Sequence, residues 1–327
     1  MANLETTYLG LKLKNPIIVG SSELTSSIDK IIELEKNGAG AIVLKSLFEE
    51  QILMNIDAER VNNMYDTYTD SENYVSYFLK KHRVESYLKL IKEAKSKVQI
   101  PIIASINCIS SDDWTSFAKE IETAGADALE LNVFLLPSNI ETKGSEIEKT
   151  YSEIILKVIQ LVKIPVSIKI SSYFSGFANF VNEISKSGIK GITLFNRFYS
   201  PDVDIETEKI TSTHIYSNSD ENANVLRWIG ILSNKIDCDL AASTGIHTGN
   251  DVIKNILVGA DATQIVSTIY KNGSSQIKIM LSEIEAWMDK KSYKTISDFK
   301  GKLSQSKTTK SMIFERAQFM KYFTDRS

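Results

Sequence analysis

The sequence predicts a single (β/α)8 TIM barrel over residues 1–327, on three observations. Eight short, nearly continuous apolar runs recur along the chain. That is the pattern of strands buried on both faces of a parallel sheet. Longer segments with apolar residues at helical spacing lie between them, as at 28–36 and 151–162. Four helix-to-strand joints carry the same Gly signal, at Gly38, Gly125, Gly188 and Gly259, and a Gly just past a helix is its usual stop. An open doubly wound sheet is the competing architecture, but no G-x-G-x-x-G follows the first run.

The elements follow in order. Leu4 to Leu13 alternates around Leu9-Gly10 and predicts a hairpin that plugs the barrel bottom. The runs fall at 17–19, 41–45, 102–106, 128–133, 166–170, 192–196, 240–243 and 263–267. Pro101 and Pro165 introduce two of them, and Ser27, Ser111 and Asn250 stand at helix entries as cap-type residues. The connection from Phe48 to Lys97 is too long for one crossover helix. It holds Tyr65, Tyr68, Tyr74 and Tyr77 and is either a solvated excursion with a helix over 84–97 or a lid over the barrel mouth. Beyond Met288 the chain is charged and helix-like, and is expected to pack outside the barrel.

Composition narrows the function. A net charge of −3, with 43% hydrophobic and 24% charged residues, gives no electrostatic case for nucleic acid or an anionic membrane. Cys108 and Cys238 both sit in apolar stretches, which suggests buried thiols in a reducing cytoplasm rather than a disulfide framework. Residues 1–14 lack a signal-peptide pattern, and no apolar run approaches the ~18 residues that span a bilayer. His82, His214 and His247 are not at metal-ligand spacing, so no metal is expected.

Barrel chemistry sits at the C-terminal strand ends. These carry Gly20, Ser21 and Ser22; Lys45 and Ser46; Asn107; Glu130 and Asn132; Lys169; Asn196 and Arg197; Ser243, Thr244 and Gly245; and Val266, Ser267 and Thr268. A Lys inside an apolar strand cannot stay charged without a partner. Lys169 and Lys45 therefore either snorkel at the strand ends or face an anionic, planar ligand together with Asn132 and Asn196. The run from Ser243 to Gly249 offers hydroxyls and backbone N–H groups before a helix expected at Asn250, where a phosphate would be favoured. Together these features describe a phosphorylated cofactor lying over the mouth.

From about Leu4 to Gly273 these residues resemble the class 1 dihydroorotate dehydrogenases, a family of FMN barrels. Asn15-Pro16 through Ser21-Ser22 resembles the family's N-P-x-x-x-A-S-G, and Val43-Leu44-Lys45-Ser46 its V-x-K-S. Glu130-Leu131-Asn132 resembles E-L-N, and Val166-Ser167-Ile168-Lys169 resembles V-x-V-K. Thr244 to Asp251 resembles the G-G-I-x-T-G-x-D phosphate loop, and Ala262 to Ser267 the A-x-Q-x-G-T that follows. The resemblance implies FMN held by Gly20, Ser21, Lys45, Ser46, Asn132, Lys169, Ser243, Thr244, Gly245, Val266 and Ser267. It implies a small anionic substrate against Lys45, Asn132 and Asn196, with Lys169 near flavin N1. A homodimer is implied likewise.

The chain departs from the family on the substrate side. The family's catalytic Cys falls on Leu135 or Leu136, neither of which accepts a proton, and Ser138 or a residue brought by the long connection from Phe48 to Lys97 could substitute. Arg197 stands where the family has a small residue, and the family's N-M-G-L-P-N-type loop is missing. Three readings stay open. The first is an FMN oxidoreductase of dihydroorotate or a related substrate, using Lys45 and Ser138 in catalysis and serving pyrimidine biosynthesis. The second is a flavin-binding barrel with another redox substrate or no turnover. The third is a flavin-free lyase or aldolase that uses Lys169 as a Schiff-base nucleophile.

Overall fold

A strand that faces packed side chains in the barrel lumen and helices outside has no face left for solvent, so its sequence is apolar throughout. The computed structural model describes residues 2–48, 69–107, 111–198, 200–213, 215–309 and 311–315, with side chains of 48, 69–81 and 111–116 outside the description. All eight predicted runs form strands. A hairpin of β1 (Thr6–Tyr8) and β2 (Leu11–Leu13) precedes β3 (Ile17–Val19), α1 (Ile28–Lys36), β4 (Ala41–Val43) and a short β5 (Leu47–Phe48). Next come α2 (Thr69–Lys97), β6 (Ile102–Asn107), α3 (Ser111–Ala124), β7 (Ala128–Asn132), α4 (Gly144–Ile159), β8 (Val166–Ile170), α5 (Phe177–Ser185) and β9 (Gly191–Leu194). An exposed hairpin, β10 (Pro201–Asp204) and β11 (Lys209–Ser212), leads to α6 (Asn222–Leu232), β12 (Asp239–Ser243), α7 (Gly249–Val258) and β13 (Ala262–Ile265). Two helices follow, α8 (Ser267–Asn272) and α9 (Gln276–Lys291).

Strands β3, β4, β6, β7, β8, β9, β12 and β13 pair in that order, all parallel, and β13 pairs back onto β3. The sheet is a closed eight-stranded barrel. Its floor is a separate apolar cluster in which Tyr8, Leu9 and Leu13 of the hairpin meet Ile18, Val43, Ile103, Ala128 and Ala241. The approach is close enough that a Cβ on Gly191 would stand 2.4 Å from Leu9 Cδ2. The larger cluster fills the layer between the strands and the helices. The Gly joints behave as predicted: Gly38 and Gly125 leave their helices at φ +102° and +94°, a region that side chains disfavour.

The structure corrects the sequence in several places. The runs predicted at 41–45 and 263–267 end at Val43 and Ile265, and Ser267 opens α8 instead. After Val43 the chain bulges. Ile42 and Val43 pair with Ile102 and Ile103, but Leu47 pairs with Ile106, so three residues on one side face two on the other. Helix α2 begins at Thr69, well before the predicted Val84. Residues 49–68, with Tyr65 and Tyr68, lie outside the description, as do the side chains of Tyr74 and Tyr77, and so does the choice between lid and excursion. Beyond Lys291 the described tail holds only two 3-10 turns, Ile296–Asp298 and Ser311–Phe314, rather than a longer helix. Ile296 and Phe299 are three apart, the period of such a turn, and both are buried on the outer core. Among the described residues no helix is long and apolar enough to cross a membrane.

Candidate active site

The barrel strands deliver polar side chains to one cavity of about 370 Å³ at their C-terminal ends. Nine predicted site residues line it: Ser21, Asn132, Lys169, Asn196, Ser243, Thr244, Gly245, Val266 and Ser267. Four do not. Gly20 packs beneath the wall, where a Cβ would come within 3.0 Å of Val266 Cγ2. Ser46 is buried behind the wall as a hub. Its Oγ meets Ser105 Oγ at 2.6 Å and Ser21 Oγ at 3.0 Å, and accepts Asn132 Nδ2 at 3.3 Å. Ser138 lies exposed on the loop after β7.

Lys45 is the fourth. The bulge gives its backbone N–H to Thr25 O at 3.4 Å, and its ammonium bonds the Glu23 carboxylate. Both side chains are well exposed. The Lys45 ammonium holds the Glu23 carboxyl below its ordinary range, with help from the Ser26 hydroxyl.

Lys169 brings an ammonium into the cavity. Its Nζ donates to Gln264 Oε1 at 3.0 Å. Burial pulls its pKa down and Glu130 pushes it back up, burial being the larger effect. Asn132 Oδ1 is buried without a partner among the described residues, the state expected of an acceptor awaiting a ligand. Asn196 spends its amide protons on Val133 O at 3.1 Å and Lys169 O at 3.0 Å, so its amide oxygen is the group it can present. Arg197 also lines the cavity, but its guanidinium bonds Glu221 Oε2 at 2.9 Å and Ile215 O at 3.1 Å.

The phosphate-loop expectation is corrected in one respect. The helix cap is Thr248, not Asn250, because Thr248 and Asp251 bond each other reciprocally. The Asp251 carboxylate takes the N–H groups of His247 and Thr248, and Glu283 takes that of Gly249. The N–H groups of His247, Thr248 and Gly249 at the start of α7 are therefore already taken. Free donors lie one turn earlier, at the backbone N–H groups of Gly245 and Ile246, which have no partner among the described residues. Gly245 stands at φ +73° with its Cα side pressed against Asn222, so no side chain can replace its hydrogen. His247 is half-buried in the same loop. Its Nε2 meets Ser217 Oγ at 3.2 Å, and burial, then Lys271, hold its pKa down.

Sequence reasoning missed the floor of the cavity. Gln264 Nε2 donates to Glu130 Oε2 at 2.5 Å, and Thr193 Oγ1 donates to the same oxygen at 3.0 Å. Tyr8 OH reaches Thr193 Oγ1 at 3.3 Å. The signal was present: Glu130 is a charged residue inside an apolar run, the same anomaly that marks Lys169.

A closed parallel barrel with a half-buried ammonium, an unpaired amide oxygen and free backbone N–H groups gathered at one mouth has the architecture of a barrel enzyme. Comparisons with known proteins give the family. The dihydroorotate dehydrogenase family matches residues 3–288, and the chain belongs to that family, whose members are oxidoreductases of the CH–CH group. The catalytic subunit of dihydroorotate dehydrogenase B (NAD(+)) from Thermoplasma acidophilum is 24% identical over 312 residues, covering 92% of this chain and 99% of that one. Dihydroorotate dehydrogenase A (fumarate) from Lactococcus lactis is 26% identical over 320 residues, covering 92% and 99%. Among the described residues no cluster of His, Cys, Asp or Glu could hold a metal ion.

Proposed function

We propose that this chain binds FMN and exchanges hydrogen across a CH–CH bond of a small planar substrate, in the manner of dihydroorotate oxidation. The observation that supports it is the meeting of Lys169, the partnerless Asn132 Oδ1 and the free N–H groups near Gly245 around one cavity. The residues fit the group. The N–H groups of Gly245 and Ile246, with the Ser267 hydroxyl nearby, suit a phosphate. Lys169 suits the electron-rich edge of an isoalloxazine, and Asn132 and Asn196 suit the polar rim of a planar substrate. Bound FMN supplies a two-electron acceptor that the side chains lack. The chain itself binds, orients and places a positive charge beside the acceptor. Purified protein should be yellow, and anaerobic dihydroorotate should bleach the ~450 nm flavin band. A colourless preparation overturns the reading.

A second reading, FMN with a different redox substrate, is favoured by the opposite wall. By the resemblance the family's proton acceptor falls on Leu135 or Leu136, and neither side chain accepts a proton. Phe134 lines the cavity and packs against Phe198, with ring centroids 4.0 Å apart and planes tilted by 36°. Lys45, which would meet an anionic substrate, is engaged by Glu23 instead. A yellow protein that dihydroorotate leaves unbleached selects this second reading.

A further inference from the structure

Beneath Lys169, under the cavity, runs a line of buried polar groups that neither reading uses. From the top it passes from Lys169 through Gln264 and Glu130 to Thr193 and Tyr8, with links of 3.0, 2.5, 3.0 and 3.3 Å. Glu130 is 1% exposed and Gln264 2%. A buried carboxylate is costly unless something answers it. Among the described residues no Lys, Arg or His pairs with it directly, and its Oε1 has no partner.

The amide of Gln264 explains the arrangement. One end must accept from the Lys169 ammonium, which can only donate, and the other must donate to the Glu130 carboxylate, which accepts. The two ionisable groups therefore fix the amide's orientation between them. We propose that Glu130 is a positioning residue: through Gln264 it sets both the charge and the aim of the Lys169 side chain at the cavity floor.

The electrostatics follow the geometry. Burial drives Lys169 toward its neutral form, and Glu130 is the charge that resists this. The titratable neighbours of Glu130 on the other packed elements are Tyr8 from β1 and Tyr87 from α2. Burial, reinforced by Glu130, pushes both phenols far above their ordinary range, so neither supplies a competing charge. Tyr87 is fixed independently, donating to Ser105 O at 3.0 Å. Removing Glu130 thus leaves Lys169 with burial alone.

This inference rests on the FMN reading for its consequence but not for its test. The pH at which Lys169 becomes half-reactive toward trace acetic anhydride can be read by peptide mass spectrometry on the cofactor-free chain. Glu130→Gln should move that midpoint to lower pH. Gln264→Met, which leaves the carboxylate in place but breaks the relay, should move it the same way, and it serves where Glu130→Gln does not fold. A purely packing role for Glu130 would lower the melting temperature without moving the midpoint. Native midpoints in both variants overturn the proposal. With FMN bound, the flavin midpoint potential gives a second readout. In Glu130→Gln it should lie above native at low pH, where Lys169 still carries its proton and a negative charge is gone. It should lie below native at high pH, where that proton has been lost. Parallel, uncrossed curves overturn the link to the cofactor. A chain that takes up no FMN defeats the functional reading and leaves the labelling result standing.

Discussion

Thr244 holds φ +85° while its hydroxyl donates to Phe195 O at 3.2 Å. A β-branched residue in that region is strained. The hydrogen bond to the neighbouring strand end offsets part of the strain, which is of order 1–3 kcal/mol. The position begins the phosphate loop, where the resemblance places Gly. Substituting Thr244→Gly removes the strain, the bond and some rigidity of the unfolded chain together, so its net cost should stay within about 1 kcal/mol. Thr244→Val keeps the strain and loses the bond, so it should cost about 1–2 kcal/mol. Urea unfolding of the two variants decides the matter: a Gly variant weaker than the Val variant would refute it.

Lys169 should support stability and binding together. Its ammonium donates to Gln264, which in turn donates to the buried Glu130 carboxylate. Lys169→Met takes one charge from that relay and leaves the buried carboxylate without it, a loss that is destabilising. The cofactor-free variant should therefore melt lower than native. Its affinity for FMN should fall roughly 10–100-fold, as for a lost charge-assisted hydrogen bond of about 1.5–3 kcal/mol. Flavin fluorescence titration beside thermal melts gives both numbers. A variant that melts lower but binds FMN normally contradicts the assignment.

The barrel was legible in the sequence because strands buried on both faces and Gly-stopped helices leave local marks. The runs at 17–19 and 166–170 match β3 and β8 without error, and the joint at Gly38 bears its positive φ. The site was legible wherever a polar residue interrupts an apolar strand, as at Lys169. What the sequence did not reveal depends on register and on distant partners. Lys45 leaves the cavity because one extra residue between Val43 and Leu47 turns it toward Glu23, 22 positions earlier. The α7 N-terminus is closed to phosphate in part by Glu283, which lies 34 residues from Gly249. The side chains of Glu130 and Gln264 meet across the lumen from positions 134 apart. No local pattern announces such meetings.

The Lys45–Glu23 pair makes the substrate side testable. Both side chains are more than a third exposed, and exposed pairs contribute about 0–1 kcal/mol. Glu23→Gln should leave stability within about 0.5 kcal/mol of native. It should free Lys45 to turn toward the mouth. If an anionic substrate binds there, orotate should bind the variant up to ~5-fold more tightly, the equivalent of about 1 kcal/mol. An unchanged orotate affinity in isothermal titration would favour the second reading, in which Lys45 takes no part.

Asp239 makes stability depend on pH at the opposite end of the barrel. Its Oδ2 accepts the Leu9 N–H at 2.7 Å, which ties the plugging hairpin to β12. Burial first, then Asp261, push its pKa up from 3.8 to about 6. A carboxyl whose pKa is raised by folding favours the protonated form in the native state. Its stabilising share is therefore complete below about pH 3.8, declines as the pH rises through about 6, and is absent above that. A two-unit rise corresponds to roughly 2.7 kcal/mol, which partial solvent contact reduces to about 1–2 kcal/mol. Asp239→Asn keeps an acceptor for Leu9 and removes the titration. The variant should match native stability near pH 4 and exceed it by about 1–2 kcal/mol at pH 8. Unfolding curves across that range should diverge most steeply between about pH 4 and 6, the interval between the ordinary pKa of 3.8 and the folded value of about 6. A gap that is constant with pH would show that the carboxyl at position 239 does not titrate with folding.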